Sequence, residues 1–367
     1  MNYYVIAAGI VAGVAMGAAS VYWIHRGVGT GWIVLGAAGV GIGCTMVLTA
    51  VALVFTGLDH FMVVHVVYLV LVVGIPLAGA IVLAFGRPCP LIITALCFVS
   101  FAAIPAGVYA THIEPFWLRT DAVQLAVDGI GEGIRIGVIA DLQTTSIGSY
   151  ENEAIDRLIS LEPDIVVFPG DLHQIETGQF DERAPEFTRL VQRLVDTVPV
   201  VYLVNGHSDT VSDLWRITDG TGARVLDNEI DTFEINGAAI HLAGVSLNGR
   251  DYEPAARQVV ERLAGSELAG VRILLAHEPD AVELLNGTTV DLLVSGHTHG
   301  GQVSIPFFGP PITASSVPRH VAAGGLHELH GTPVYVSTGV GRERGNAPQV
   351  RFGVRPSIGI IDLVVDE

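Results

Sequence analysis

The chain has 367 residues, half of them hydrophobic, and a formal net charge of −18 at pH 7. Residues 1–111 take only two of the 19 basic residues, Arg26 and Arg87, and one of the 37 acidic ones, Asp59, which leaves −19 on residues 112–367. That split excludes a single water-soluble globule, and an acidic remainder with no basic stripe interleaved with aromatics excludes a nucleic-acid binder.

Four uncharged runs come first, roughly Tyr4–Ile24, Ile33–Phe55, Phe61–Phe85 and Leu91–Ala110. Each is long enough to cross a hydrocarbon core of roughly 30 Å as a helix. The links are short enough to force a hairpin bundle. Tyr3, Tyr22, Trp23, Trp32, Phe85 and Trp117 fall near the run ends, as interfacial aromatics do. The first run lacks the basic segment of a cleaved signal and reads as a span. Arg26 and Arg87 sit in the first and third links and Asp59 in the second, so the positive-inside rule predicts a multi-pass protein of the cell membrane with its C-terminal domain outside the cytoplasm. Gly9, Gly13 and Gly17, and again Gly39 and Gly43, recur at a spacing that lets helices approach closely. Packing inside the bundle is preferred to dimerisation as their role, and the oligomeric state stays open. His65 and Pro76 interrupt the third run, but no acidic partner within the spans supports a transport pathway. Cys44, Cys89 and Cys97 all lie in this part. Any metal site in residues 112–367 must therefore use His, carboxylate or amide groups.

From Thr111 onward short apolar runs alternate with amphipathic stretches, the pattern of a mixed α/β domain. Strands are predicted over 134–140, 165–169, 198–204, 239–245, 271–276, 290–294, 333–337 and 358–364. Helices are predicted over 151–161, 184–197, 254–264 and 279–285, the second with Phe187, Leu190, Val191 and Leu194 on one apolar face. Asp141, Asp171, His207, His277 and His297 each follow a strand end closely, at the edge where α/β sheets gather ligands. Two imidazoles one residue apart, His297 and His299, after a strand and flanked by glycines, can be aimed at one spot.

Five blocks occur in order: Ile139-Ala-Asp-Leu-Gln143, Pro169-Gly-Asp-Leu172, Val204-Asn-Gly-His-Ser-Asp209, Leu275-Ala-His-Glu-Pro-Asp280 and Ser295-Gly-His-Thr-His-Gly-Gly-Gln302. Together they resemble the calcineurin-like metallophosphoesterase superfamily, with its pattern DxH, GD, GNH(D/E), H and GHxH. The segments Ile305-Pro-Phe-Phe-Gly309 and Gln349-Val-Arg-Phe-Gly-Val-Arg-Pro356 resemble its membrane-anchored bacterial branch. The resemblance implies a four-layer αββα sandwich over 112–367, behind a four-helix membrane region over 1–111. It implies two divalent metal ions, Mn, Zn, Fe or Mg: Asp141 and His299 would hold the first, His277 and His297 the second, and Asp171 would bridge them. The reaction implied is hydrolysis of phosphate mono- or diesters by a metal-bound hydroxide.

This chain departs from the family pattern at two places. Gln143 stands where the family has the histidine of DxH, and its amide oxygen is a weaker donor. In the gapless register of the third block, His207 takes the place of the metal-binding asparagine and Ser208 that of the histidine that protonates the leaving group. With a one-residue gap His207 stays the proton donor and Gly206 replaces the asparagine. The gapless register is preferred, because a one-residue slip turns every strand side chain to the other face. His173 is then a conceivable substitute acid.

Arg342, Arg344, Arg351 and Arg355 gather near the C-terminus as candidates to grip a phosphate. The expected substrate is a small-molecule or lipid-linked phosphoester held at the bilayer. The alternative, from Gln143 and Ser208, is a catalytically impaired module that keeps the fold for binding or sensing.

Overall fold

The computed structural model describes residues 3–56, 60–248, 251–252, 254–265 and 269–366. Asp59, used above to orient the second link, lies outside them. The chain divides into two compact units, Met1–Ile113 with Glu343–Gln349, and Glu114–Arg342 with Val350–Glu367.

The first unit is built of helices α1 (Tyr3–His25), α2 (Thr30–Thr56), α3 (His60–Leu69), α4 (Ile75–Phe85), α5 (Leu91–Ser100) and α6 (Ala103–Val108). They make four apolar helices long enough to cross a membrane, Ile6–His25, Thr30–Val51, Phe61–Phe85 and Leu91–Phe116. In the third, a π-turn at Val70–Gly74 joins α3 to α4. Pro76 explains it: proline has no N–H to donate and its ring crowds the carbonyl four residues back, so the ladder shifts register there. The glycine stripe of α1 is occupied by this same span. A Cβ on Gly9 would stand 2.7 Å from the Leu69 carbonyl oxygen, on Gly13 2.6 Å from that of Gly74, and on Gly17 2.8 Å from Ile81 Cβ. Gly39 and Gly43 meet nothing within 4 Å. Within the same unit His65 Nδ1 lies 3.1 Å from the Asn346 carbonyl oxygen, a contact between the third span and a segment far along the chain.

The second unit opens with β1 (Arg119–Val127) and β2 (Ile134–Val138), followed by α7 (Ser149–Ile159), β3 (Ile165–Pro169), α8 (Phe180–Val195), β4 (Val200–Val204), α9 (Val211–Thr218) and β5 (Arg224–Val225). Strands β6 (Glu229–Ile235), β7 (Ala238–Gly244), β8 (Leu247–Asn248) and β9 (Asp251–Tyr252) precede α10 (Pro254–Ala264), β10 (Val271–Leu275) and β11 (Leu292–Ser295). The chain ends with α11 (Arg319–Ala322), β12 (Gly325–Leu329), β13 (Thr332–Val336) and β14 (Ser357–Val365). One sheet has the order β1-β14-β2-β3-β4-β5 and the other β12-β13-β11-β10-β7-β6.

The inner strands, such as β3 and β11, read as largely apolar runs because both their faces are covered. Ile134, Ile136, Val138, Ile165 and Val167 point between the sheets toward Ile240, Leu242, Ile273, Leu275 and Val294. Their neighbours Val166 and Phe168 point the other way, onto Phe187, Leu190, Val191 and Leu194 of α8. On the far side Leu274 and Ala276 pack under Val259, Val260 and Leu263 of α10. The result is the four-layer αββα sandwich. Pro279–Leu285, predicted as an α-helix, is a 3-10 helix. Pro279 at its start and Asn286 at φ 47° after its end leave little room for α-helical bonds.

Candidate metal centre

Parallel pairing of β2 with β3 and β3 with β4, and of β7 with β10 and β10 with β11, lines up the carboxyl ends of strands in each sheet. Backbone bonds stitch the loops that follow: Asp141 N–H donates to the Gly170 carbonyl, Gln143 N–H to that of Asp171, and Gly296 N–H to that of His277. Asp141, Gln143, Asp171, His297 and His299 hold φ of 48°, 41°, 55°, 68° and 48°, a region that residues with side chains rarely enter. Such backbone persists only where surroundings over-determine it, and it clusters at functional sites.

Two groups of ligand atoms form, each within 4.8 Å: His207 with His277 and His297, and Asp141 with Asp171 and His277. The three imidazole centroids are separated by 4.9–5.1 Å. His277 belongs to both groups. Its Nδ1 is 2.9 Å from the Pro169 carbonyl oxygen, an acceptor only, so Nδ1 carries the hydrogen and Nε2 presents its lone pair. That Nε2 is buried, has no hydrogen-bond partner and stands 3.6 Å from Asp171 Oδ2. Burial, with the neighbouring His297 and His207 rings, depresses His277 to about 4 against the pull of Asp171, so the ring is neutral at pH 7. Burial pushes the Asp171 carboxyl up, but His277 and the Ser208 amide, which donates to Oδ1 at 2.8 Å, outweigh it and hold it below the usual range. An ionised carboxylate facing the neutral His277 ring with its buried lone pair, beside two further imidazoles, is a donor set for a hard or borderline divalent cation. Glycine makes room for it. A Cβ on Gly206 would meet Asp171 Oδ1 at 2.1 Å, and one on Gly296 would meet Asp141 Oδ2 at 2.5 Å.

The remaining expected residues have different surroundings. Gln143 is buried beside Asp171. His299 lies outside both groups; it is buried, with Nδ1 3.4 Å from Arg351 Nη2. Burial and then that guanidinium hold its pKa well below the ordinary value. His173, the substitute acid considered above, lies in a buried aromatic setting. Its ring packs on Phe180 and Phe187, its Nδ1 accepts the Ile175 N–H, and its Nε2 is directed at Asp213, 4.0 Å away.

Two of the four arginines expected to grip phosphate, Arg351 and Arg355, donate to backbone carbonyls. Arg351 is fully buried, and donates to the carbonyls of Thr338, Gly339 and Gly341 at 2.8, 3.1 and 2.5 Å. Arg355 donates to the carbonyls of Trp117 and Leu118 and stacks on the Trp117 ring. Arg342 lies over the Phe116 ring, and Arg344 belongs to the segment that groups with the membrane helices. A guanidinium that fills carbonyl pockets is a strut between loops, and charge along a sequence does not reveal that.

Two carboxyl groups escaped the sequence reading. Glu278 Oε1 is 3.1 Å from His207 Nε2 and 3.9 Å from His297 Nε2. Asp209 is buried and accepts the N–H groups of Leu172 and Gly206 at 2.6 and 2.7 Å, which ties the second loop to the third. Each stands inside one of the five blocks, and that position was the available signal. Beyond His207 a cleft of about 530 Å³ opens, lined by Thr210, Ser212, Trp215, Asn228 and Ser246.

Residues 134–301 match the calcineurin-like phosphoesterase family. The chain carries a calcineurin-like metallophosphoesterase domain. It is 27% identical over 282 residues to the metallophosphoesterase YkuE of Bacillus subtilis, covering 72% of this chain and 94% of that protein. It is 26% identical over 266 residues to phosphodiesterase YaeI of Escherichia coli, covering 70% and 92%. A Danio rerio transmembrane protein with metallophosphoesterase domain is 27% identical over 237 residues, 60% of this chain and 52% of that one. The match begins at β2 and ends just past His299, so it contains the first four blocks whole and the fifth up to Gly301.

Proposed function

We propose that this chain is a membrane-anchored, metal-dependent hydrolase of phosphate mono- or diesters, with its metallophosphoesterase domain on the outer face of the membrane. The reading is carried by His277, which belongs to two groups of ligand residues drawn from loops of both sheets and whose buried Nε2 has no hydrogen-bond partner. In it, Asp141, Asp171 and His277 hold one cation, and His277, His207 and His297 face a second, with Gln143 and His299 adjoining. Two such cations, when bound, supply Lewis-acid charge on a phosphoryl oxygen and an acidified water.

The chain's own residues do the rest. Asp171 stays ionised, with Ser208 N–H on its Oδ1. Glu278 receives His207 Nε2 and fixes the ring at the mouth of the cleft, where a leaving group has hydroxyl and amide partners. Ser208 Oγ donates to the His173 carbonyl and is no acid. Good leaving groups are therefore favoured over alkoxides, since one lost acid costs about 10²–10⁴-fold. Anchoring favours phosphoesters of lipid-like or lipid-linked molecules.

The full chain purified in detergent is expected to bind about two equivalents of Mn or Zn and to hydrolyse an activated aryl phosphodiester. Asp171→Ala is expected to lose both. A chain with one metal or none and no turnover supports the second reading, a binding or sensing module, which Ser208 favours. A reporter fused after Glu367 tests the sidedness.

A further inference from the structure

We propose that the turn at residues 305–312 seats the metallophosphoesterase domain on the bilayer surface; this rests on the membrane-anchored reading above. Ile305, Phe307, Phe308 and Ile312 are all exposed, Phe307 fully so at 111%. Isolated exposed apolar residues are ordinary, but four within eight positions form a patch. The turn is well built. Gly309 N–H donates to the Ile305 carbonyl and Ile305 N–H to that of Gly309, while Ser304 N–H donates to the carbonyl of Phe352. Phe307 holds φ 67°, a costly state for a bulky residue, so the turn spends conformational energy to present a phenyl ring to solvent.

Charge identifies the occupant. Between Asp291 and Glu328 this strongly acidic chain has no carboxylate and a single fixed cation, Arg319, which lies over the Phe308 ring at 5.3 Å. A partner protein recognised by charge would find no charge pattern there. An interface of acyl chains and anionic headgroups would find apolar side chains, prolines, one arginine and nothing that repels it. The chain's four membrane-length helices keep such an interface within reach. The turn is also coupled to the metal centre: His297 Nε2 is 2.9 Å from the Ala314 carbonyl oxygen, and Asp280, three residues after His277, accepts Ser315 Oγ at 2.5 Å and Ser316 N–H at 2.8 Å. Seating the turn would hold the centre at the depth of lipid phosphates.

The test uses the full chain in nanodiscs of phosphatidylcholine and phosphatidylglycerol. With Phe307→Trp, the emission gained over wild type is expected to be blue-shifted and quenched by brominated acyl chains. Water-like emission that bromine leaves untouched overturns the proposal, as does emission that changes with protein density and not with lipid, which assigns the patch to a second protein. The double variant Phe307→Ser, Phe308→Ser is expected to hydrolyse a water-soluble aryl phosphodiester at the wild-type rate and a phosphoester lipid in the disc at least about tenfold more slowly. Equal losses on both substrates overturn it. Bromine quenching in a chain that hydrolyses neither substrate upholds the seating while it refutes the hydrolase reading.

Discussion

At the scale of single residues, the centre depends on absent atoms as much as on donors. Gly206→Ala drives a methyl group to 2.1 Å from Asp171 Oδ1, so the carboxylate or the third loop must move. Metal affinity is expected to fall about 10–100-fold, as when an outer-shell support is lost. Gly131→Ala, with nothing within 4 Å of the new Cβ, serves as the control; equal affinities by titration calorimetry refute the argument. Asp209 makes a pH prediction. Burial, then the charge of Asp171, push it up from 3.8 to about 8, so the folded protein keeps a proton that the unfolded chain has lost between those values. Stability must then fall as pH rises toward 8. His277, lowered from 6.5 to about 4, gives the opposite slope, but only below pH 6.5. Urea unfolding of metal-stripped protein is expected to show a lower midpoint at about pH 8 than at about pH 6.8, and equal midpoints refute it. Asp209 and Glu278 were printed in the blocks, yet their meaning was not legible. A carboxylate beside a histidine in sequence says nothing of the loop it braces until strands from both sheets are placed.

Among elements, the two segments after β13 and before β14 are held by one side chain. Arg351 collects three carbonyls from residues 338–341 while touching His299. Arg351→Met strands those acceptors and is expected to destabilise the domain by at least about 3 kcal/mol. Arg351→Lys recovers only part of this, because an ammonium is a point donor where a planar fork is required. Thermal unfolding of both variants checks the order. The eight strands legible in the sequence are mostly buried and written largely in Val, Ile and Leu, with single breaks such as Arg135, Arg272 and Asp362. Those that were missed have another grammar. In β1, Thr120, Asp121 and Gln124 interrupt the apolar positions of an edge strand, and β6 alternates Glu229, Asp231 and Glu234 with apolar residues in the same way. Helix α9 escaped because its eight residues are too few to show a period, although Thr210 and Asp213 cap it reciprocally.

Over the whole molecule, ionised side chains become frequent close to the divide at Ile113 and Glu114 between the two compact units. Hydropathy could not foresee that Glu343–Gln349 groups with the apolar helices, since that segment holds both an acid and a base. The order of the first sheet has a further consequence. β14 lies between β1 and β2, paired parallel to one and antiparallel to the other. A chain that stops short of Ser357 cannot complete this sheet. Without β14 in place, β1 and β2 lack their common neighbour, so these two strands of that sheet are joined only by a strand drawn from more than 200 residues further along the chain.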